Sequence, residues 1–297
     1  MSITRIRYKH LLRYVNCICP LKNNKHPHMK NLKITILLLM LLSIYSCEEV
    51  VDVTLEESEP RLVVEASILW KKETTGNFQI IQLTTTAPFF DDSTPPAEGA
   101  KVSVKSESGA RYVFEELEPG FYVNDIFEPE LNMSYDLEIL YKDEVYIATE
   151  SLIPVSSLEY VEQSTGGGFG GEDIELRAYY FDPPDVENYY FFKFFYEDLS
   201  IQISEDEFTD GNLTFAYFSN EDLVPGEEVG FETQGISKRF YEYMFILRSQ
   251  AGTNGGGPFQ TQPTTVRGNI INTTNPDNFA FGYFRLSETD LLTYTLQ

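Results

Sequence analysis

The stretch RLVVEASILW, residues 61–70, alternates apolar and polar side chains over ten positions. Its apolar members fall on one face of an extended chain: Leu62, Val64, Ala66, Ile68 and Trp70. Because successive side chains of a strand point to opposite faces, this period of two predicts a β-strand with one buried face. The same pattern recurs downstream and decides the fold class.

Six further short segments show this one-sided alternation, and turn-forming residues separate them. They are FQIIQLTTTA (78–87), AKVSVKS (100–106), RYVFEEL (111–117), GFYVND (120–125), YDLEILY (135–141) and EVYIATESL (144–152). Seven short strands without helical periodicity are typical of an antiparallel sandwich. We therefore predict a mainly β protein in which residues 60–153 form an immunoglobulin-like antiparallel β-sandwich.

One connection in this region, PFFDDSTPPAEG (88–99), is long for a sandwich loop. It places Phe89 and Phe90 beside Asp91 and Asp92. Two aromatic side chains on a loop can bind a ligand or partner, and they can equally plug the end of the sandwich. Both interpretations stay open, and these four residues are the candidate recognition loop.

Residues 154–297 are predicted to form a second β-rich domain that is more aromatic than the first. EDIELRAYYFD (172–182) and NYYFFKFFYED (188–198) indicate two long strands joined by the turn Pro183-Pro184-Asp185. The second strand is apolar on both faces, which favours a strand covered on both sides. A stacking platform for sugar rings or another flat ligand is the alternative interpretation.

One helix is predicted in this second domain, at about residues 238–250. An apolar stripe at helical spacing runs through KRFYEYMFILRSQA. Ser237 can cap the first turn, and Gly252 can end the helix.

The acidic stretch SEDEFTDGN, residues 204–212, suggests an oxygen-rich calcium loop. However, Phe208 stands where the EF-hand spacing requires a second acid, and no glutamate follows at the required distance. An acidic hairpin turn is the favoured interpretation. The glycines of STGGGFGGE (164–172) lack a following helix and a nearby basic residue, so they predict no phosphate site. We predict neither a metal nor a cofactor.

The N-terminal region contains an apolar run that is too short to cross a bilayer. Residues 34–45 supply twelve positions without charge, whereas a spanning helix needs roughly 20. With Met29 and two lysines before it, this run predicts a secretory signal peptide over residues 29–46. Ile44-Tyr45-Ser46-Cys47 resembles the lipobox of bacterial lipoproteins, which predicts Cys47 as the lipid attachment site. An ordinary signal peptide or a transmembrane anchor is the alternative.

Two segments flank this signal. Residues 1–28 precede a signal that is complete from its own methionine, and we interpret them as an over-extended translation with Met29 as the true start. Residues 47–59 are acidic and lack clear strand or helix signals over most of their length. We interpret them as a solvated tether between the lipid and the first domain.

Removal of residues 1–46 changes the chemistry of the chain. The sequence has 22 Lys and Arg against 46 Asp and Glu, and eight of these cations but no acids precede Cys47. The mature chain therefore carries a net charge of −32, which disfavours nucleic acid as a partner. All three histidines, Cys17 and Cys19 are lost as well. Because Ser-His and Cys-His pairs and ordinary zinc sites need these residue types, we predict a non-enzymatic protein.

The order of the motifs resembles that of a family of Bacteroidetes outer-membrane lipoproteins that forms a domain of unknown function. The motifs are the lipobox cysteine, LVVEASI, LTTTAPFFDD, GAKVSVKS, YVFEELEPGFYVND, NYYFFKF, DEFTDGN, RFYEYMFIL, GGGPFQTQPTTVRGNI and FGYF. Together they span essentially the whole mature chain.

This resemblance implies a protein anchored by lipid to the outer membrane, on the cell surface, as an accessory or ligand-binding partner of a TonB-dependent receptor. Glu48 and Glu49 are similar to the acidic signals that send such lipoproteins to the surface. Asp92-Ser93-Thr94 is similar to a short O-glycosylation pattern, so Ser93 is a candidate glycosylation site. The resemblance carries over no catalytic residue and no ligand.

Two other functions remain as alternatives at this point. The first is a surface adhesion or structural lipoprotein. The second, less favoured, is a carboxylate-dependent glycan hydrolase, which needs two acids about 5–10 Å apart.

Overall fold

The computed structural model describes residues 59–88, 93–167, 171, 173–251 and 265–297. All described residues lie within Glu57–Gln297, one of the two units into which the chain divides. The predicted signal peptide and Cys47 lie outside the described residues.

The described residues contain fifteen strands and one helix. The strands are β1 (Leu62–Lys71), β2 (Gln79–Thr85), β3 (Lys101–Ser106), β4 (Arg111–Glu118), β5 (Phe121–Asn124), β6 (Ser134–Tyr141), β7 (Glu144–Ile153), β8 (Leu158–Gly167), β9 (Asp173–Phe181), β10 (Tyr189–Tyr196), β11 (Asp198–Glu205), β12 (Leu213–Ser219), β13 (Glu228–Gly235), β14 (Ile271–Asn272) and β15 (Phe281–Thr295), and the helix is α1 (Lys238–Ala251). The mainly β class is confirmed, as are the seven predicted strands of residues 60–153 and the helix at about 238–250.

The first seven strands do not form the predicted immunoglobulin-like sandwich. They pair antiparallel in the order β1-β2-β5-β4-β3-β6-β7, and β15 pairs in parallel with both β1 and β7. The result is a closed, barrel-like ring of eight strands. Alternation specifies which face of each strand is buried, but it does not specify which strand edges meet. Strand β15, from the far end of the chain, pairs with β1 and with β7, so these two strands do not remain as open edges.

Side chains fill the interior of the ring, as in other small closed sheets. The predicted inward faces of β1 and β6 are confirmed: Leu62, Val64, Ala66, Ile68, Tyr135, Leu137, Ile139 and Tyr141 are buried in one hydrophobic cluster, and Trp70 packs against it. The hairpin between β6 and β7 turns on Lys142 and Asp143, which both adopt positive φ. This is the conformation that two-residue hairpin loops favour.

Beyond the ring, β15 continues into a second layered unit. Its residues Thr289–Thr295 pair antiparallel with β13, in a sheet of order β11-β10-β13-β15. A separate three-stranded sheet, β12-β9-β8, faces it across a second hydrophobic cluster. Strand β15 thus belongs to both units and is the element that joins them.

The predicted domain division at residue 153 differs from this arrangement at the C-terminal end. The two main hydrophobic clusters do separate near that residue, between Leu152 and Val155. However, Ile270, Phe284 and Leu286, which we assigned to the second domain, pack inside the ring. The eight-stranded ring is therefore built from two separate parts of the sequence.

Strands β9 and β10 are neighbours in sequence but not in a sheet. The predicted turn Pro183-Pro184-Asp185 lies in a connection that crosses from the three-stranded sheet to the four-stranded one. The aromatic residues of β10 are core residues, as favoured, except Phe195, which is 41% exposed. The buried rings cannot form the alternative stacking platform. Phe192 packs between the sheets, and Phe191 on the opposite face packs against Phe240 of α1. The Phe240 N–H donates to Ser237 Oγ at 3.3 Å, which confirms the predicted helix cap.

The contact between β1 and β15 depends on Gly282. This glycine has φ +91°, and a Cβ atom there would lie 2.0 Å from the Val64 carbonyl oxygen. We expect Gly282→Ala to lower the free energy of unfolding by about 3 kcal/mol or more, from strain plus steric overlap. Urea denaturation measures the loss. The matched control is Gly226→Ala, because Gly226 has φ +95° but open space around it, and it should cost only about 1 kcal/mol. Equal losses in the two variants would contradict this account.

Candidate functional site

The outer face of the three-stranded sheet β8-β9-β12 presents a row of aromatic side chains to solvent. In the sequences of β9 and β12, LRAYYF and LTFAYF, every second side chain points outward. Inward positions such as Ala178 and Ala216 are buried in the second core. The outward positions carry Tyr160, Tyr179, Phe181, Leu213, Phe215 and Tyr217, which we call the aromatic face.

The register of the sheet lines up three of these rings across the strands. Tyr179 lies directly opposite Tyr160 on one side and opposite Phe215 on the other. The Tyr160 and Tyr179 rings are stacked with centroids 4.7 Å apart, and the Tyr179 and Phe215 centroids are 5.3 Å apart. Tyr160 remains 46% exposed and Phe215 40% exposed. The row is therefore preorganised by ring–ring contacts and still open to a partner.

Charged side chains border this row and fix its orientation. The Tyr179 hydroxyl donates to Glu162 Oε2 at 2.9 Å, and this hydrogen bond raises the pKa of Tyr179. The Arg177 guanidinium lies 5.2 Å from the centre of the Phe215 ring and also pairs with Glu175. The surface thus combines flat apolar rings with hydrogen-bonding groups of both charges. Such a surface suits a protein interface or a ring of a sugar.

The sequence does not single out the aromatic face, because aromatic residues are denser in β10 than in β9 or β12. In LRAYYF the aromatic residues Tyr179 and Tyr180 point to opposite faces. Tyr180 is buried in the core, whereas Phe181, which shares the outward face of Tyr179, is 51% exposed. The available signal was that β9 and β12 both carry aromatic side chains on the face opposite their alanines.

The predicted recognition loop lies largely outside the described residues. Phe89, Phe90, Asp91 and Asp92 lie outside the described residues, and Ser93, which follows them in sequence, is exposed. The chain that follows is fixed to β2. The Thr85 N–H donates to the Pro95 carbonyl at 2.8 Å, and the Ala97 N–H donates to the Leu83 carbonyl at 3.0 Å. The role of this loop and the glycosylation of Ser93 stay predictions.

A recess of about 250 Å³ lies beside the N-terminal end of α1. Its lining residues are Glu187, Tyr189, Glu205, Asp206, Glu207, Lys238, Tyr241 and Glu242. Lys238 Nζ donates to Glu187 Oε1 at 2.8 Å. The bond from Lys238, with a second bond from the Tyr189 hydroxyl, lowers the pKa of Glu187. A lowered pKa holds the carboxylate ionised, which is opposite to what a general acid requires.

Fold and site together define a mainly β protein with an exposed aromatic sheet face. The chain belongs to the family described as "Domain of unknown function (DUF4249)", which matches residues 48–291. The predicted membership in a family of unknown function is confirmed to this extent.

Comparison with other proteins adds little to this assignment. A search of curated proteins finds no match. Among solved structures, a two fibronectin type-III domain segment from chicken tenascin aligns with 60% of this chain and 91% of its own, at 13% identity and a TM-score of 0.20. A score this low carries no argument about fold or function. No α-helix among the described residues has the length and hydrophobicity that crossing a bilayer requires.

Proposed function

We propose that the protein is an outer-membrane lipoprotein, anchored through Cys47 on the cell surface, that binds a TonB-dependent transporter as a non-enzymatic accessory subunit. The observation that carries the binding part of this proposal is the aromatic face. Its rings are exposed, aligned by a rigid sheet and bordered by charged groups. Aromatic residues at the centre of a surface patch with a polar border supply most of the energy of protein interfaces.

The anchoring part of the proposal has its own support. The apolar run of residues 34–45 ends two positions before Cys47, and the family match begins at Glu48, the residue after it. The matched body thus starts where a lipid-modified N-terminus would leave it. The chain after Cys47 is strongly acidic, which opposes direct adsorption to anionic headgroups. An acyl anchor supplies the membrane affinity that the protein surface does not.

The non-enzymatic part rests on the residues available for catalysis. The chain after Cys47 contains no histidine and no cysteine. In the recess beside α1, the lowered pKa of Glu187 disfavours the general acid that glycan hydrolysis needs. Burial raises the pKa of Asp182, but its side chain is fully buried and does not line that recess. These observations favour binding over hydrolysis.

A pull-down from native membranes tests the proposal. The tagged protein, extracted in detergent from its own cells, should co-purify a TonB-dependent transporter identified by mass spectrometry. The double variant Tyr160→Ser/Phe215→Ser should reduce the recovered transporter by roughly tenfold or more, because each exposed ring is expected to contribute about 1–2 kcal/mol. Both side chains are half exposed, so the variant should still fold.

The matched control replaces two exposed rings that lie elsewhere, Phe78 and Phe245, by serine. This control should recover as much transporter as the unmodified protein. Equal loss in both double variants would indicate a general effect of lost aromatic surface and would contradict a binding role of the aromatic face. Absence of any transporter from the unmodified sample would contradict the proposed partner.

Surface adhesion is the second candidate, and the aromatic face favours it too, because flat exposed rings also stack on sugars. The same variants distinguish the two functions. Adhesion would replace the accessory role if two results were found together. The purified protein would bind immobilised glycans, with this binding abolished by Tyr160→Ser/Phe215→Ser, and no transporter would co-purify. Impaired growth of a deletion strain on particular nutrients would instead favour the accessory role.

A further inference from the structure

Three aspartates that are far apart in sequence meet where two connections of the second unit touch. Asp182 follows β9, and Asp206 and Asp210 lie in the acidic turn between β11 and β12. One carboxylate oxygen from each of the three lies within 4.8 Å of the others. Asp182 and Asp206 are buried, and Asp210 is exposed at the surface of the cluster.

Each aspartate accepts a hydrogen bond, with one carboxylate oxygen, from the short segment 185–190 that leads into β10. The Tyr190 hydroxyl donates to Asp182 Oδ1. The Asn188 N–H donates to Asp206 Oδ2 at 2.7 Å, and the Asp185 N–H donates to Asp210 Oδ1 at 2.9 Å. The three side chains are therefore oriented by hydrogen bonds from one short segment, and each retains a second carboxylate oxygen.

The second oxygen of Asp182 is the observation that indicates a ligand. Asp182 is 0% exposed, and its Oδ2 atom is buried without a well-aligned hydrogen-bond donor, the Gly211 backbone N–H being the nearest group to interact with this carboxylate besides the Tyr190 hydroxyl. A buried carboxylate oxygen without a partner is costly, and two further carboxylates nearby increase the cost. Among the described residues, no Lys or Arg forms an ion pair with any of the three aspartates.

We propose that Asp182, Asp206 and Asp210 bind a Ca²⁺ ion that joins the β9–β10 connection to the β11–β12 turn. Calcium takes six to eight oxygen ligands, accepts carboxylates in one- or two-oxygen modes, and tolerates irregular geometry. Magnesium requires a near-ideal octahedron and is less suited to three carboxylates at fixed positions. This proposal replaces our sequence-based prediction of no metal. It concerns a site away from the aromatic face and does not depend on the proposed function.

The backbone around the site also holds the β9–β10 connection close to the β11–β12 turn. The Asp182 N–H donates to the Asn212 carbonyl at 3.0 Å. Gly211 has φ +71°, and a Cβ atom there would approach Pro184 Cβ to 3.0 Å. A single-loop calcium pattern was absent from SEDEFTDGN because the ligands come from two separate segments. The spacing rule of the EF-hand therefore does not apply to this cluster.

Calcium binding to the full-length protein, freed of divalent ions with EDTA, tests the proposal. Terbium should bind at the same position and be sensitised by Tyr190, and Ca²⁺ should displace it. Millimolar Ca²⁺ should raise Tm by several degrees relative to EDTA, because a ligand that binds only the folded state stabilises it. Equimolar Mg²⁺ should produce a clearly smaller rise.

Two single variants in the same turn separate specific binding from charge screening. Asp210→Asn keeps an oxygen that can accept the Asp185 N–H but removes one ligand charge, and it should weaken Ca²⁺ affinity by roughly tenfold or more. Glu207→Gln removes one charge from the same turn outside the cluster and should leave the affinity unchanged. Asp182→Asn should abolish the Tm rise with Ca²⁺.

Three results would overturn the proposal. One is an unchanged Tm of the unmodified protein between Ca²⁺ and EDTA. Another is an equal loss of affinity in Glu207→Gln and Asp210→Asn, which would indicate diffuse screening of an acidic surface. The third is an Asp182→Asn variant that is more stable than the unmodified protein by the same amount in Ca²⁺ and in EDTA. That result would identify Asp182 as a buried protonated acid instead of a ligand.

Discussion

A fragment of residues 59–153 is expected not to fold on its own, although its sequence contains the seven strands β1 to β7. Without β15, nine residues of strand β1, Val63 to Lys71, lose their pairing with Phe281 to Thr289. The ring also loses Phe284 and Leu286, which are 0% and 1% exposed in its core. Removing two buried side chains of this size costs several kcal/mol, which is a large share of the stability of a domain. Two strand edges become exposed at the same time.

Circular dichroism and urea denaturation measure this outcome. The fragment should show no cooperative unfolding transition, whereas residues 48–297 should unfold cooperatively. As a control, residues 265–297 joined to the fragment by a flexible linker should restore a cooperative transition. The same joined chain with Phe284→Ala and Leu286→Ala should lose it again. A cooperative transition in the fragment alone would show that the division predicted at residue 153 marks a real folding boundary and that β15 is dispensable to the ring.

The contrast between the predicted sandwich and the observed ring shows what local pattern determines. The buried faces of β1 and β6 follow from alternation alone, because an apolar face must be covered whichever strand covers it. Pairing between β1 and β15 joins residues more than 200 positions apart. No local feature of FGYFRLSETDLLTYT, the sequence of β15, predicts which strands it pairs with. With fifteen residues, β15 is longer than every other described strand, and this length lets it pair both in the ring and in the four-stranded sheet.

The candidate sites were harder to predict than the strands, for a related reason. In β9, Tyr179 and Tyr180 occupy opposite faces and are the same residue type, so hydrophobicity does not distinguish them. Which one is buried depends on the position of the four-stranded sheet, and this is a tertiary property. The aspartate cluster likewise requires the β9–β10 connection to cross between sheets and meet a turn that begins at Asp206. The sequence predicts only that the turn Pro183-Pro184-Asp185 joins β9 and β10, and it does not predict that the two strands lie in different sheets.

The substitution Cys47→Ser is expected to move the protein out of the membrane fraction almost completely. Lipid attachment contributes about 0.8 kcal/mol for each buried CH₂ group, so acyl chains on one cysteine supply nearly all of the membrane affinity. The body cannot compensate, since the chain after Cys47 carries a net charge of −32 and anionic headgroups repel it. Fractionation of cells, with a detergent-phase partition of the membranes, measures the redistribution.

The matched control is Cys17→Ser/Cys19→Ser in a chain expressed from Met1, because these two cysteines lie upstream of the predicted signal peptide and are present only when translation starts there. This double variant should remain in the membrane fraction, and intact-mass analysis should show an acylated N-terminus at position 47 without the three early histidines. If Cys47→Ser stays in the membrane, or if the double variant leaves it, the anchor is not at Cys47. Retained histidines would also remove the argument against histidine-dependent catalysis, because that argument depends on cleavage before Cys47. One residue therefore decides both the location of the protein and the classes of chemistry open to it.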